Sequence, residues 1–319
     1  MEIITNPMQH EIKKAAKALK DGHLVAFPTE TVYGLGADAT NEKAISRIYS
    51  VKGRPTNHPL IVHISSISKL DMWAIDIPEY ALKLAKEFWP GPMTLILTRS
   101  QLAGDFITGG QSSVGLRVPS NLIALLMLKE FEKLGGTGIA APSANKFGSV
   151  SPTSSEAVYE EIGGRLSDQD SIIEGGDCEI GIESTIIDCT HEEATILRPG
   201  YVTEEMILEK IKLDIAPIPW SEKIRTSGQL KSHYSPKAEV ILGGLAKPGE
   251  GFIGMSHIAT PIGSFRLAAP ETVLEFAQNI YNALRMGDKK KLKRIVVQLP
   301  EGNGLANAIC DRLFKAAAR

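Results

Sequence analysis

Leu24-Val25-Ala26-Phe27-Pro28-Thr29-Glu30-Thr31-Val32-Tyr33-Gly34-Leu35-Gly36-Ala37-Asp38 is the stretch from which the fold is read. Residues 24–27 form a short apolar run, which reads as a buried strand. Pro28 ends it, because proline has no N–H to give to a strand ladder. Three hydroxyls (Thr29, Thr31, Tyr33) and the Glu30 carboxylate follow within five residues. Gly34 and Gly36 bracket Leu35, which suits a tight turn or a close approach to a ligand. Polar side chains at the exit of a buried strand describe a small-molecule site in an α/β sheet. They equally describe a turn capped by its own hydroxyls, and this segment alone leaves both readings open.

Working outward, strands and helices alternate. Residues 9–21 have helical spacing, with Gly22 as a stop, and Asn41 is an N-cap for a helix that delivers the chain to Lys52-Gly53-Arg54-Pro55. Apolar strands are expected at 59–64, 93–97, 113–118, 139–141, 171–173, 184–188 and 193–198, with helices at 79–88, 121–134, 154–163 and 203–212. Thr153 is a cap candidate for the helix near 154. This alternation predicts an α/β domain with a mixed, strongly twisted sheet over residues 1–213. Residues 214–236 are rich in Pro and Ser, with little apolar periodicity, and read as a linker, although His233-Tyr234 before Ser235-Pro236 is too specific for a passive spacer. Residues 237–319 read as a smaller α/β unit with a parallel sheet, large enough to fold alone.

The 319 residues carry a net charge of −2, which gives no general reason to wrap nucleic acid. The three cysteines (Cys178, Cys189, Cys310) show neither ligand clustering nor a disulfide framework and read as inert core residues in a reducing compartment. No signal-peptide pattern and no membrane-length apolar run are seen, so a cytoplasmic protein is expected. Among catalytic signatures, P-loop, dinucleotide, zincin and serine-hydrolase motifs are all missing.

What remains is dispersed. Lys52 and Arg54, two apart, would share one side of an extended segment and suit a polyphosphate or carboxylate, or form a solvated loop. Arg117 sits in an apolar strand and needs a partner, either a ligand or an internal acid. Ser143 and Asn145 follow a strand end, and Ser184-Thr185 and Arg198 set hydroxyls and a guanidinium beside apolar strands. His63 reads as a buried structural histidine or a ligand contact. The six basic residues of 285–294 read as a solvated helix end, or as an RNA contact. Together these describe a cleft with several cations and hydroxyls and no acid pair. That favours an anionic ligand, and nucleotidyl transfer over hydrolysis.

The ordered motifs PTETVYGLGADA (28–39), KGRP and PLIVHI (52–55, 59–64), WPGPMTLIL (89–97), SVGLRVP (113–119), APSAN and SPT (141–145, 151–153), GIESTIID (181–188), ILRPG (196–200), SGQLKSHYSP (227–236) and GNGLANAICDRLFKAA (302–317) resemble the Sua5/YciO/YrdC family of threonylcarbamoyl-AMP synthases, in its two-domain Sua5 form. The resemblance implies a YrdC-like twisted mixed sheet with a basic concave face, and a smaller Rossmann-like C-terminal domain. It implies synthesis of threonylcarbamoyl-adenylate from L-threonine, bicarbonate or CO2 and ATP, with pyrophosphate release and Mg2+ accompanying ATP. The product would pass to the machinery that modifies adenosine 37 of tRNA. Carried over by motif, Lys52 and Arg54 would be catalytic. Thr31, His63 and Thr185 would line the threonine side. Arg54, Arg117, Ser143, Asn145, Ser184 and Arg198 would hold the nucleotide, and His233 and Tyr234 would cover it. The family's linker often begins Pro-Gly, whereas Ser227 precedes Gly228 here. An RNA-binding module without turnover is the alternative.

Overall fold

The computed structural model describes residues 6–217, 224–226, 228 and 233–318. Its strands are β1 (Val25–Phe27), β2 (Gly34–Asp38), β3 (Ile61–His63), β4 (Met93–Thr98), β5 (Ser113–Arg117), β6 (Ile139–Ala140), β7 (Ser171–Ile172), β8 (Thr185–Asp188), β9 (Thr195–Arg198), β10 (Glu239–Leu242), β11 (Gly251–Ile253), β12 (Phe265–Ala268) and β13 (Arg294–Val297). Its helices are α1 (Asn6–Lys20), α2 (Glu42–Lys52), α3 (Leu70–Trp73), α4 (Glu79–Phe88), α5 (Asp105–Thr108), α6 (Leu122–Lys133), α7 (Ser155–Ile162), α8 (Glu204–Ile211), α9 (Val273–Lys289) and α10 (Leu305–Ala317).

Two sheets carry the fold. The first has nine strands in the order β7-β1-β2-β6-β3-β5-β4-β8-β9. It is mixed: β3 and β5 pair in parallel, as do β4 and β8, while β1 and β2, and β5 and β4, are antiparallel. The second has four parallel strands in the order β10-β13-β11-β12. The α/β class and both sheet types agree with the sequence reading.

Local chemistry sets several boundaries. Asn41 caps α2 by accepting from the Ala44 N–H, as expected. Ser154, not Thr153, caps α7, accepting from the Ala157 N–H. Residues 34–38 are not a turn but strand β2, antiparallel to β1. The glycine at 36 is needed for packing: a Cβ there would lie 2.8 Å from both Phe27 and Ile139. Strand β12 buries only Leu267, with Phe265 exposed and Arg266 and Ala268 partly exposed.

Alternation divides the first sheet into two faces. Val62, Leu95, Leu116 and Ile187 point into the largest core, under α2 and α4. Val25, Phe27 and Ile139 point the other way, where α1 and α6 cover them. Ile61, His63, Gly115, Arg117, Ile96 and Ile186 line cavities on the part of the sheet beyond that cover. There the linker residues Arg225, Thr226, Gly228, His233 and Tyr234 close the space.

The second unit keeps only a small cluster of its own, Ala246, Phe252 and Val296, and its larger core is shared. Its buried cluster, with Phe276, Ile280, Tyr281, Ile309 and Leu313, also contains Val32, Val150, Ile180 and Ile182 of the first unit and Tyr234 of the linker. Polar ties add to it: Gln278 Nε2 donates to Glu179 O at 2.6 Å, and Arg285 pairs with Glu161 at 3.1 Å. Arg285 is buried, so the basic run 285–294 is not uniformly solvated as expected. Among the described residues, no helix is long and apolar enough to cross a membrane.

Candidate active site

A narrow cleft lies on the open half of the first sheet. Thr31, Lys52, Arg54, His63, Arg117, Ser143, Asn145, Ser184, Arg198, His233 and Tyr234 all line it. These residues come from segments spread over 200 positions, so only the tertiary fold could unite them.

The parallel register of β3 and β5 aligns His63 with Arg117. Arg117 finds an internal acid: its Nη2 lies 2.7 Å from Glu30 Oε1, and both side chains are buried. Its Nε donates to Gly91 O. Glu30 reaches it from the β1–β2 loop, whose turn is held by Thr29. The Thr29 hydroxyl donates to Val32 O at 2.6 Å and accepts from the Thr31 and Val32 N–H groups. Both readings of this stretch therefore apply: Thr29 caps the turn, and Thr31 faces the cleft. His63 packs edge-on against Phe27, and its Nδ1 has no hydrogen-bond partner among the described residues. Burial, with the Arg117 charge, lowers its pKa to about 3, so it is a neutral contact at physiological pH.

Lys52 and Arg54 do not converge by sharing an extended segment. Lys52 is the last residue of α2, and Gly53 ends the helix in the left-handed region (φ +64), a conformation that favours glycine. The reversal turns both cations to the cleft. Lys52 Nζ donates to Ser143 O at 2.6 Å and to Asn145 O, which leaves one of its three N–H groups for a ligand. Burial and the neighbouring Arg54 push its pKa well below the ordinary lysine value. An anion in the cleft would favour the charged form. Arg54 donates from Nη2 to Pro59 O and lies over the Phe147 ring, 5.5 Å from its centroid.

Asn145 commits its amide Nδ2 to Lys146 O and Ser149 O, both at 2.8 Å. Its Oδ1 is buried without a hydrogen bond among the described residues, an acceptor waiting for a donor. Arg198 grips Ser184 through the main-chain oxygen (3.1 and 2.9 Å) and the hydroxyl (3.1 Å). Thr185 departs from the reading. It does not line the cleft, and its hydroxyl donates to Val202 O at 2.6 Å, because strand alternation turns it away from Ser184.

The sequence reading expected a cleft with no acid pair and did not single out Glu183 or Phe147 as lining it. Glu183 lines it, buried, and Glu30 stands behind Arg117. Glu183 accepts from Ser151 Oγ (2.6 Å), Tyr281 Oη (2.8 Å) and Arg312 Nε (2.8 Å). Burial alone would raise its pKa, but Arg312, Arg198 and Ser151 hold it at about 2. The signal was present: a carboxylate inside the apolar GIESTIID must have a partner. Each acid is committed to an arginine, so neither is placed as a general base. His233 and Tyr234 stand at the wall with ring centroids 4.1 Å apart, and burial lowers His233 to about 3. Gly228 lines the same wall, while Ser227 and residues 229–232 lie outside the described residues. Cys178 and Cys189 are buried, Cys310 is partly exposed, and all three are free thiols. Burial pushes the first two up, consistent with inert thiols.

The Sua5/YciO/YrdC family, described as "Telomere recombination", matches residues 17–200, and a "Threonylcarbamoyl-AMP synthase, C-terminal domain" matches residues 202–318. The chain is 40% identical to a threonylcarbamoyl-AMP synthase of Pyrococcus abyssi, over 99% of this chain and 98% of that protein. A Bacillus subtilis protein of the same name is 37% identical over 99% and 95%. The crystal structure of P. abyssi Sua5 complexed with L-threonine superposes with a TM-score of 0.86 at 39% identity, covering 99% of this chain and 96% of that one. The chain therefore belongs to the Sua5/YciO/YrdC family, in the two-domain form that carries the threonylcarbamoyl-AMP synthase C-terminal domain.

Proposed function

We propose that this protein is a threonylcarbamoyl-AMP synthase, joining L-threonine, bicarbonate or CO2 and ATP into threonylcarbamoyl-adenylate and pyrophosphate. One observation carries the reading: Lys52, Arg54 and Arg198 meet in a cleft whose carboxylates are already paired. Such a site retains net positive charge for a carboxylate and a triphosphate together. Full-length similarity to synthases, one of them solved with threonine, names the acceptor.

The threonine amine adds to bicarbonate with loss of water, or to CO2 with loss of a proton, giving a carbamate. A carbamate oxygen then bonds to the α-phosphorus of ATP, and the bond to the pyrophosphate oxygen breaks. Little side-chain proton transfer is required. Thr31 and neutral His63 orient threonine. Lys52 and Arg54 neutralise the carbamate and the phosphate charge that grows in the transition state. Asn145 Oδ1 accepts from the nucleotide, and Ser143, Ser184 and Arg198 complete that wall. His233 and Tyr234 exclude water from a product prone to hydrolysis.

Among the described residues, no group of three His, Cys, Asp or Glu side chains is placed to hold a metal ion. Mg2+ commonly binds through substrate phosphates and water, with few protein ligands. The site fits that mode, with the Ser143 hydroxyl as an available oxygen at the cleft. The ion would supply charge neutralisation on the phosphates. The product is an activated acyl donor, to be consumed by transfer to tRNA.

The test is incubation with threonine, bicarbonate, Mg2+ and ATP, followed by mass detection of the adenylate and a pyrophosphate assay. Pyrophosphate release that depends on both threonine and bicarbonate is expected. Release independent of either would overturn the reading.

A further inference from the structure

We infer that Arg312, on the last helix of the second unit, is a positioning residue for the cleft in the first, acting through Tyr234 of the linker. The inference rests on the reaction proposed above and adds to it a role for the second unit.

Tyr234 is the starting observation. Its backbone is left-handed (φ +60) although its side chain is bulky and buried. Among the described residues, the other non-glycine positions with positive φ, Asp76, Lys212 and Lys291, are all exposed. A buried residue in that conformation persists only where its surroundings over-determine it. Here the second unit supplies the constraint. The Arg312 guanidinium lies 5.3 Å from the centroid of the Tyr234 ring. The Tyr281 ring stacks on it at 5.7 Å and 23°.

Arg312 is itself fixed on every side. Its Nε donates to Glu183 Oε2 at 2.8 Å, its Nη2 to Pro199 O at 2.9 Å and its Nη1 to Asp311 Oδ2 at 2.5 Å. One planar group thus joins a cleft carboxylate, the turn after Arg198 and the face of the linker tyrosine. A lysine would keep the charge but not the fork. Tyr234 in turn offers the cleft something unused: its buried hydroxyl has no hydrogen-bond partner among the described residues. It lies against Gly228, where any Cβ would overlap it. A nucleotide polar group at the cleft wall would complete that hydroxyl. The second unit is then a working part of the site, and Arg312 is its reach into it.

The experiment uses the full chain with Arg312→Lys, Tyr281→Phe, Tyr234→Leu and the Arg312→Lys/Tyr234→Leu double variant. Steady-state adenylate formation gives KM for ATP, calorimetry gives Kd for threonine, and hydrogen–deuterium exchange follows residues 233–236 in the ligand-free protein. Arg312→Lys is expected to raise KM for ATP about tenfold, leave threonine Kd within twofold, and speed exchange of the segment. In the Tyr234→Leu background the same change should add nothing further. Tyr281→Phe, which keeps the stacked ring and removes only the bond to Glu183, should raise KM for ATP two- to threefold. Independent, multiplying effects of Arg312→Lys and Tyr234→Leu would overturn the inference, as would equal losses for threonine and ATP. If Arg312→Lys does not fold, an unchanged KM in Tyr281→Phe overturns it. Should the wild type make no adenylate, the reaction reading fails, while the exchange of residues 233–236 in Tyr281→Phe still decides the positioning claim, with unchanged exchange refuting it.

Discussion

The two sheets handle polar groups in opposite ways. The four parallel strands of the second sheet bury Val240, Ile253, Ile295 and Val297 with α9 and α10 in one apolar cluster. The nine-stranded sheet is apolar on the face under α2 and α4, but its other face carries His63 and Arg117 at strand ends and collects Lys52, Arg54 and Arg198 around them. A mixed sheet permits this: parallel and antiparallel neighbours bring strand ends and their loops from both directions to one cleft. Buried charge is concentrated at the cleft. Arg117 and Glu183 are buried and paired there, and of the second unit's buried arginines Arg312 pairs with Glu183 of that cleft while Arg285 pairs with Glu161 away from it.

That contrast can be broken in order of size. Glu183→Gln removes the more buried of the two carboxylates paired with Arg312 and leaves only Asp311, so the loss should approach the roughly 3–5 kcal/mol of a broken buried pair. Urea unfolding should show that loss; a change under about 1 kcal/mol would mean the pair is better hydrated than its burial indicates. Lys52→Ala or Arg54→Ala should cut adenylate formation by about 100- to 1000-fold, as for loss of a transition-state charge partner. Circular dichroism should stay native, and unimpaired turnover would remove both residues from the mechanism.

Acid should weaken the fold through the buried groups around the cleft. His63 and His233 fall from 6.5 to about 3 on folding, so the unfolded chain binds more protons between those values. Their contribution is complete above pH 6.5 and is lost as the pH falls towards 3. Glu183, lowered from 4.5 to about 2, adds its own loss below pH 4.5. Thermal unfolding from pH 7.5 to 4 should show falling stability with the steepest part below 6.5, and a flat profile would contradict the buried neutral histidines. Smallest of all, Lys289→Ala removes exposed pairs to Glu156 and Glu160 across the units, worth about 0.2–1 kcal/mol by double-mutant cycle.

Much of this was legible in the chain. Apolar runs of four to six residues marked β3, β4 and β5, and Asn41 marked the start of α2, because burial and capping are local requirements. Strand β2 was not legible. Its glycines look like a turn, and their reason is the side chains of Phe27 and Ile139 packed against them from other strands. Thr185 was grouped with Ser184 by adjacency, yet neighbours on a strand face opposite sides. Glu183 was passed over because its partners, Tyr281 and Arg312, come from about 100 residues or more further along.

By itself, the sequence determined most of the strands and helices, that the charges in apolar strands need partners, and which family's motifs are present in order. Those follow from periodicity, capping and the cost of burying a charge, all readable within a few residues. Only the tertiary structure decided that Arg117 pairs with Glu30, that Lys52 and Arg54 are turned to the cleft by a left-handed glycine, and that the second unit shares its core with the first. Those facts depend on strand register and on contacts between distant segments, and chain order does not encode distance in space.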